Sequence, residues 1–166
     1  GATGGNAFAG DTFFVEDLSN NNVNLTATGN TFEAADNFDI EDGVHHAVDT
    51  DVSSSGLVTW VAGNIYVTND GTDNVIQRGI NVSSTGDTVN VEIGTYTECI
   101  NINKDITLLA EGAGTIITPP ASTANQLVLI SANGATIDGF ELHVVRPQTT
   151  TGIAVFDKTG VSILHN

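Results

Sequence analysis

The sequence predicts an all-β fold: a parallel β-helix (solenoid) with short capping helices and a β-hairpin connector. Three observations carry that expectation. From Gly86 onward, apolar and polar residues alternate in short runs, among them Val89 and Val91, Ile100 and Ile102, Ile106 and Leu108, Ile116, Phe140 and Leu142, which is strand periodicity. The breaks between runs are rich in Gly, Asn, Asp and Pro, such as EGAG at 111–114 and DKTG at 157–160, and leave no room for a helix. Leu129 and Val155 lie 26 residues apart, as do Ile137 and Ile163. A fixed step of that size points to coils stacked on coils rather than to a sandwich or barrel.

Taken in order, FFVEDLSNNNVNLTATGNTF at 13–32 reads as coils like those at the far end of the chain. DIEDGVHHAVD at 39–49 places Ile40, Val44 and Val48 on one face behind acidic residues, the pattern of a short amphipathic helix. LVTWVAGNIYVT at 57–68 reads as two β-rich runs around Gly63 and Asn64, a hairpin. TDNVIQRGINVSS at 72–84 reads as a second helix, with Thr72 or Asp73 as cap and Val75, Ile76 and Ile80 inward, weakened by Gly79. Laid across an open coil, that helix would cover unpaired strand edges. The organisation expected is therefore 1–35 as final coils, 36–72 as helix-plus-hairpin connector, and 73–166 as capping helix and opening coils.

If residue 1 followed residue 166, Val155 to Val15 and Ile163 to Val23 would also be steps of 26. The expectation is one unit of a head-to-tail tandem array, cut within a coil, and the absence of Met fits a processed or excised piece. In such a coil Ile137 and Ile163 line a stacked core, where Asp would destabilise severely, whereas Glu141→Gln would be nearly silent.

Composition narrows the partners. Twenty acidic residues stand against four basic ones, a net charge of −16, so a basic patch for nucleic acid or anionic lipid has little to work with. Arg78, Lys104, Arg146 and Lys158 are also scattered. No apolar run approaches the ~20 residues of a membrane-spanning helix. Cys99 is the single cysteine; it cannot form a disulfide within the chain, and its place in YTECINI at 96–102 suggests a small buried hydrophobe.

IQRGI at 76–80, followed by GDTVNVEIGTYTECININKDITLLAEGAGTII at 86–117, resembles the opening of right-handed parallel β-helices of the pectin lyase-like superfamily. The resemblance is close over about residues 74–118. It implies the fold, but not an activity, because sugar-cleaving enzymes, esterases and non-catalytic surface proteins share it. The connector, NTFEAADNFDIEDGVHHAVD at 30–49 followed by GLVTWVAGNIYVT at 56–68, resembles linkers in very large secreted surface proteins of Bacteroidota-type bacteria, including gliding and adhesion proteins.

The chemistry of those enzymes finds little to use. An esterase would need wall aspartates as nucleophile and general acid and an Arg for the substrate carboxylate; GTYTE at 94–98 is similar to an esterase segment, but no QDT-like or DFIFG-like stretch follows it. Arg146 is the one basic coil candidate for a lyase base, and VRPQTTTG at 145–152 reads better as a polar loop. His45 and His46 are adjacent; on a helix they would point about 100° apart, as solvated side chains rather than zinc ligands. The acidic DTD at 49–51 and NDGTDN at 69–74 lack EF-hand spacing and read as turns and caps. Trp60 and Tyr66 could stack on a sugar ring, though packing in the connector explains them better.

The function expected is a non-catalytic structural module of an extracellular surface filament or adhesin, with no catalytic residue, metal or cofactor. Its partners would be copies of itself head to tail and, second, an extracellular polysaccharide. A polysaccharide-active β-helix enzyme fragment and a carbohydrate-binding module are the alternatives.

Overall fold

The computed structural model describes residues 5–10, 13–18, 21–49, 55–69, 74–121, 125–146 and 151–166. It is a parallel β-solenoid of about six turns, with two short helices among the described residues. Among the described residues no helix is long and apolar enough to cross a membrane.

The main coils begin at β7 (Asn64–Val67) and continue after helix α2 (Val75–Val82). Three strands then recur per turn: β8 (Thr88–Val91), β9 (Gly94–Thr97) and β10 (Ile100–Ile102); β11 (Thr107–Ala110), β12 (Thr115–Thr118) and β13 (Gln126–Ile130); β14 (Thr136–Asp138), β15 (Glu141–Leu142) and β16 (Thr151–Val155); last, β17 (Ser162–Leu164). They stack into three parallel sheets, β7-β8-β11-β14-β17, β9-β12-β15 and β10-β13-β16. Ile65, Val89, Leu108, Ile137 and Ile163 stand directly above one another through these pairings. Each inward residue thus buries its apolar surface on the turn above and the turn below.

The expected step holds for Ile137 and Ile163, which pair. It fails for Leu129, which pairs with Ala154, while Val128 pairs with Ile153, a step of 25. Val128 and Ile130 point into the core and Leu129 is half-buried. At β12 the inward residues are Thr115 and Ile117, and Ile116 is half-buried. Both misreadings arise where consecutive residues are all apolar, as in LVLI and II, so a period of two does not say which set faces inward. The steps also vary, from 19 between Val89 and Leu108 to 29 between Leu108 and Ile137, because each turn carries loops of its own length. Gly134 shows what the tight turns demand. Its φ is +76°, and a Cβ there would meet the Asp105 carboxylate.

The expected hairpin does not form. β6 (Val58–Thr59) pairs with β3 (Leu25–Thr26) and β7 with β8, both parallel; Gly63 turns the chain from one coil face to the next instead of back on itself. The expected helix at 39–49 is shorter. It is α1 (Asn37–Asp42), capped by Asp36, whose Oδ1 accepts from the Phe38 and Asp39 N–H groups. Beyond Gly43 the chain becomes β5 (Val44–His45), which pairs with β2 (Val15–Glu16). With β1 (Ala7–Phe8) on β4 (Thr31–Phe32), these pairs make two small turns around Ala27, Val44 and Val58.

Helix α2 forms where expected, with Val75, Ile76 and Ile80 buried. Thr72 and Asp73 lie outside the described residues, and Asn74 occupies the cap position without a side-chain bond to the helix. The capping group comes from the next turn. The buried Glu98 carboxylate accepts from the Ile76 N–H through Oε1 and the Gln77 N–H through Oε2, both at 3.0 Å. At the other end Lys104 Nζ donates to the carbonyls of Ile80, Asn81 and Ser83. A negative group at the helix N-terminus and a positive one at its C-terminus both complement the peptide dipoles. Between them, Gln77 Oε1 accepts from the Asn101 N–H of β10, so the helix covers the strand edge it lies on. Gly79 belongs here because a Cβ would press on the side chains of Val67 and Val89.

Ile137 is fully buried but Ile163 is 48% exposed, so of the two severe losses expected of Asp, the structure of the single chain supports the one at Ile137. Ile137→Asp should lower unfolding stability by about 3 kcal/mol or more and Ile163→Asp by less than about 1 kcal/mol. Urea unfolding of both variants checks this, and equal losses would contradict the coil order.

Candidate functional site

The polar cluster that the fold brings together lies between α1 and β5. Glu41 sits in the last turn of α1 and is 1% exposed, and His46, immediately after β5, is also 1% exposed. The expectation of two solvated helix histidines is therefore corrected. Gly43 ends the helix before them, and pairing of β5 with β2 carries His46 into the interior.

His46 is held at both ring nitrogens. The Val58 N–H donates to Nδ1 at 2.9 Å, and Nε2 lies 2.9 Å from Glu41 Oε1. Because Nδ1 accepts, the ring hydrogen belongs on Nε2, which donates to Glu41. The His46 N–H also donates to Asp49 Oδ2 at 2.7 Å. One imidazole so ties α1 to β6, and a loop carboxylate fixes the turn between.

Glu41 is only half satisfied. Oε1 faces His46, whereas Oε2 is buried without a hydrogen-bond partner among the described residues. Burial pushes its carboxyl up to about 7, against the pull of His46, and the nearby charges of Asp49 and Asp42 push the same way. For His46, burial disfavours the imidazolium while Glu41 favours it; the Val58 N–H aimed at Nδ1 opposes a second ring proton. Glu41, Asp42, His45 and Asp49 line a cleft of about 180 Å³ together with Phe13 and Thr68. His45 Nδ1 is buried there, also without a partner among the described residues.

The other candidates stand apart. Arg146 is exposed, and residues 147–150 of its loop lie outside the described residues. Asp51 and residues 70–73 of the two acidic stretches also lie outside them. Trp60 stacks on Tyr66 with ring centroids 5.4 Å apart, Tyr66 meets Phe38 edge-on, and the Trp60 Nε1–H donates to Asn37 Oδ1. These rings pack the junction of α1 with β7, as the connector reading expects. Cys99 is half-buried against the core, and burial together with Glu98 pushes its thiol up, away from the thiolate a nucleophile needs.

Sequence reasoning missed the Glu41–His46 pair because its five-residue separation matches no helical or strand spacing. The available signal was Gly43, a helix stop between the two. It also missed Glu98 and Lys104, whose partners are 21 to 24 residues away. No family model matches the chain, and comparison with curated proteins and with solved structures likewise finds no match.

The raised Glu41 carboxyl has a signed consequence. Its folded value near 7 exceeds the ordinary 4.5, so the folded state holds the proton more tightly. This contribution to stability is fully present below about 4.5 and is lost as pH rises through 7, a change of roughly 3 kcal/mol. Glu41→Gln should flatten that difference. Urea unfolding at pH 4.5 and 8 in EDTA-containing buffer reads it; identical pH dependence in both chains would show that Glu41 titrates normally.

Proposed function

We propose that the chain is a non-catalytic structural module of an extracellular or cell-surface filament or adhesin, a right-handed β-helix that stacks head to tail with copies of itself. The observation that carries this reading is the loss of burial at one end of the coil. Ile137 is fully buried beneath β17, whereas Ile163, Leu164 and Val155 are 48%, 42% and 38% exposed. Among the described residues, strands β16 and β17 pair on one side only, with β13 and β14. At the other end, among the described residues, β2 pairs with β5 and β3 with β6 and neither with a second strand, and Leu25 and Val23 are exposed.

Free parallel edges with exposed apolar residues associate readily, and a contact between two different ends of one molecule propagates head to tail. The steps of 26 from Val155 to Val15 and from Ile163 to Val23 fall between the shortest and longest steps of the paired strands, 19 from Val89 to Leu108 and 33 from Leu25 to Val58. The net charge of −16 would keep neighbouring rods apart while stacking acts along each rod. The likeness of the connector to linkers of gliding and adhesion proteins supports the surface assignment. An extracellular polysaccharide is the second partner class this reading admits.

A chain of two copies joined directly from residue 166 to residue 1 tests it. Ile163→Asp in the first copy, at the internal joint, should cost about 3 kcal/mol, and the same change in the second copy less than about 1 kcal/mol. Small and equal costs would show that no coil forms across the joint.

A further inference from the structure

The cleft between α1 and β5 concentrates negative charge where the fold leaves a buried oxygen unused. Glu41 and Asp49 offer ligand atoms within 4.8 Å of one another. Two oxygens bound to one Ca²⁺ at about 2.3–2.6 Å each can stand no more than about 5 Å apart, so a single ion can bridge them. Asp42 lines the same cleft. A group of acids alone proves nothing, because carboxylates commonly gather on so acidic a surface. The second observation is Glu41 Oε2, on a residue 1% exposed, which has no hydrogen-bond partner among the described residues. An unpartnered buried carboxylate oxygen costs stability, and a cation would satisfy it.

The identity of the ion follows from His46. His46 belongs to the same group, but its Nδ1 is already engaged by the Val58 N–H and its Nε2 carries the ring hydrogen toward Glu41. A ligating nitrogen needs a free lone pair, so His46 contributes no bond and the cluster offers oxygen. Oxygen ligands suit hard ions.

We propose that this cleft binds one partly hydrated divalent cation of the Ca²⁺ class through Glu41 Oε2 and Asp49, with Asp42 at the rim. Glu41 keeps Oε1 for the His46 N–H and gives Oε2 to the ion. Where Glu41 is protonated beforehand, that proton leaves to solvent as the metal–oxygen bonds form. The ion ties the end of α1 to the turn after β5, at the junction between the small turns and the main coils.

The test is calorimetric titration of the full chain with CaCl₂ up to roughly ten millimolar, above the weak range of extracellular calcium modules, with thermal melts in Ca²⁺ and in EDTA. The expected result is saturable binding and a rise in melting temperature that EDTA reverses. Glu41→Gln, which retains an acceptor for His46, and Asp49→Asn should each weaken binding tenfold or more, while Asp157→Asn, on an exposed turn, should not. Absence of saturable binding to the unmodified chain overturns the proposal without reference to any variant. Binding that survives unchanged in folded Glu41→Gln and Asp49→Asn chains also overturns it, by placing the ion elsewhere.

Discussion

The bond between the Glu98 carboxylate and the first N–H groups of α2 is the constraint on which the arrangement of the coils rests. A parallel ladder has no intrinsic stop, since every strand offers a free edge to the next. Here the place beside β10 is taken by a helix of eight residues, too short to persist alone in water. Tertiary contacts must hold it, and they come from the strand it covers. Glu98 precedes β10 and binds one end of the helix, Lys104 follows β10 and binds the other, and Asn101 between them meets Gln77. A buried carboxylate is costly unless its oxygens find donors. Both Glu98 oxygens do, and two of the N–H groups that a helix N-terminus leaves unpaired are satisfied in the same contact.

This makes the solenoid directional. The edge of β10 is covered, while β16 and β17 present exposed apolar residues. The small N-terminal turns reach the main coils through α1, whose Phe38 meets Tyr66 of β7, and Glu41 and His46 tie that helix to the turns it serves. The two buried acids differ in one respect that matters. Glu98 uses both oxygens on backbone donors, whereas Glu41 spends one on His46 and leaves the other unpartnered among the described residues. The first is a structural cap, and the second has capacity left for a ligand.

The fold class was legible because stacked coils impose a period of two on inward residues and glycine-rich corners between them. Val89, Val91, Ile102, Leu108 and Ile137 are buried as that pattern requires. Legibility ended where the pattern is degenerate. In LVLI at 127–130 both alternating sets are apolar, and the choice of Val128 and Ile130 over Leu129 is made by the neighbouring turn. The hairpin failed for a related reason: two β-rich runs around Gly63 and Asn64 say that strands are near, but not that their partners are β3 and β8. The polar cluster was hidden because it is assembled across a helix end, and the cap on α2 because its donors and acceptors come from different turns.

Backbone amide exchange, followed residue by residue, tests the directional solenoid most directly. Helix first-turn amides ordinarily exchange fast because they lack intrahelical partners. The account predicts that Ile76 and Gln77, bonded to buried Glu98, are protected to the same degree as Val89 and Leu108 in the central sheet, while the β17 amides exchange orders of magnitude faster. Rapid exchange at Ile76 and Gln77 would contradict a coil edge covered by α2 through Glu98, and uniform protection out to Leu164 in the single chain would contradict the stacking order read from burial.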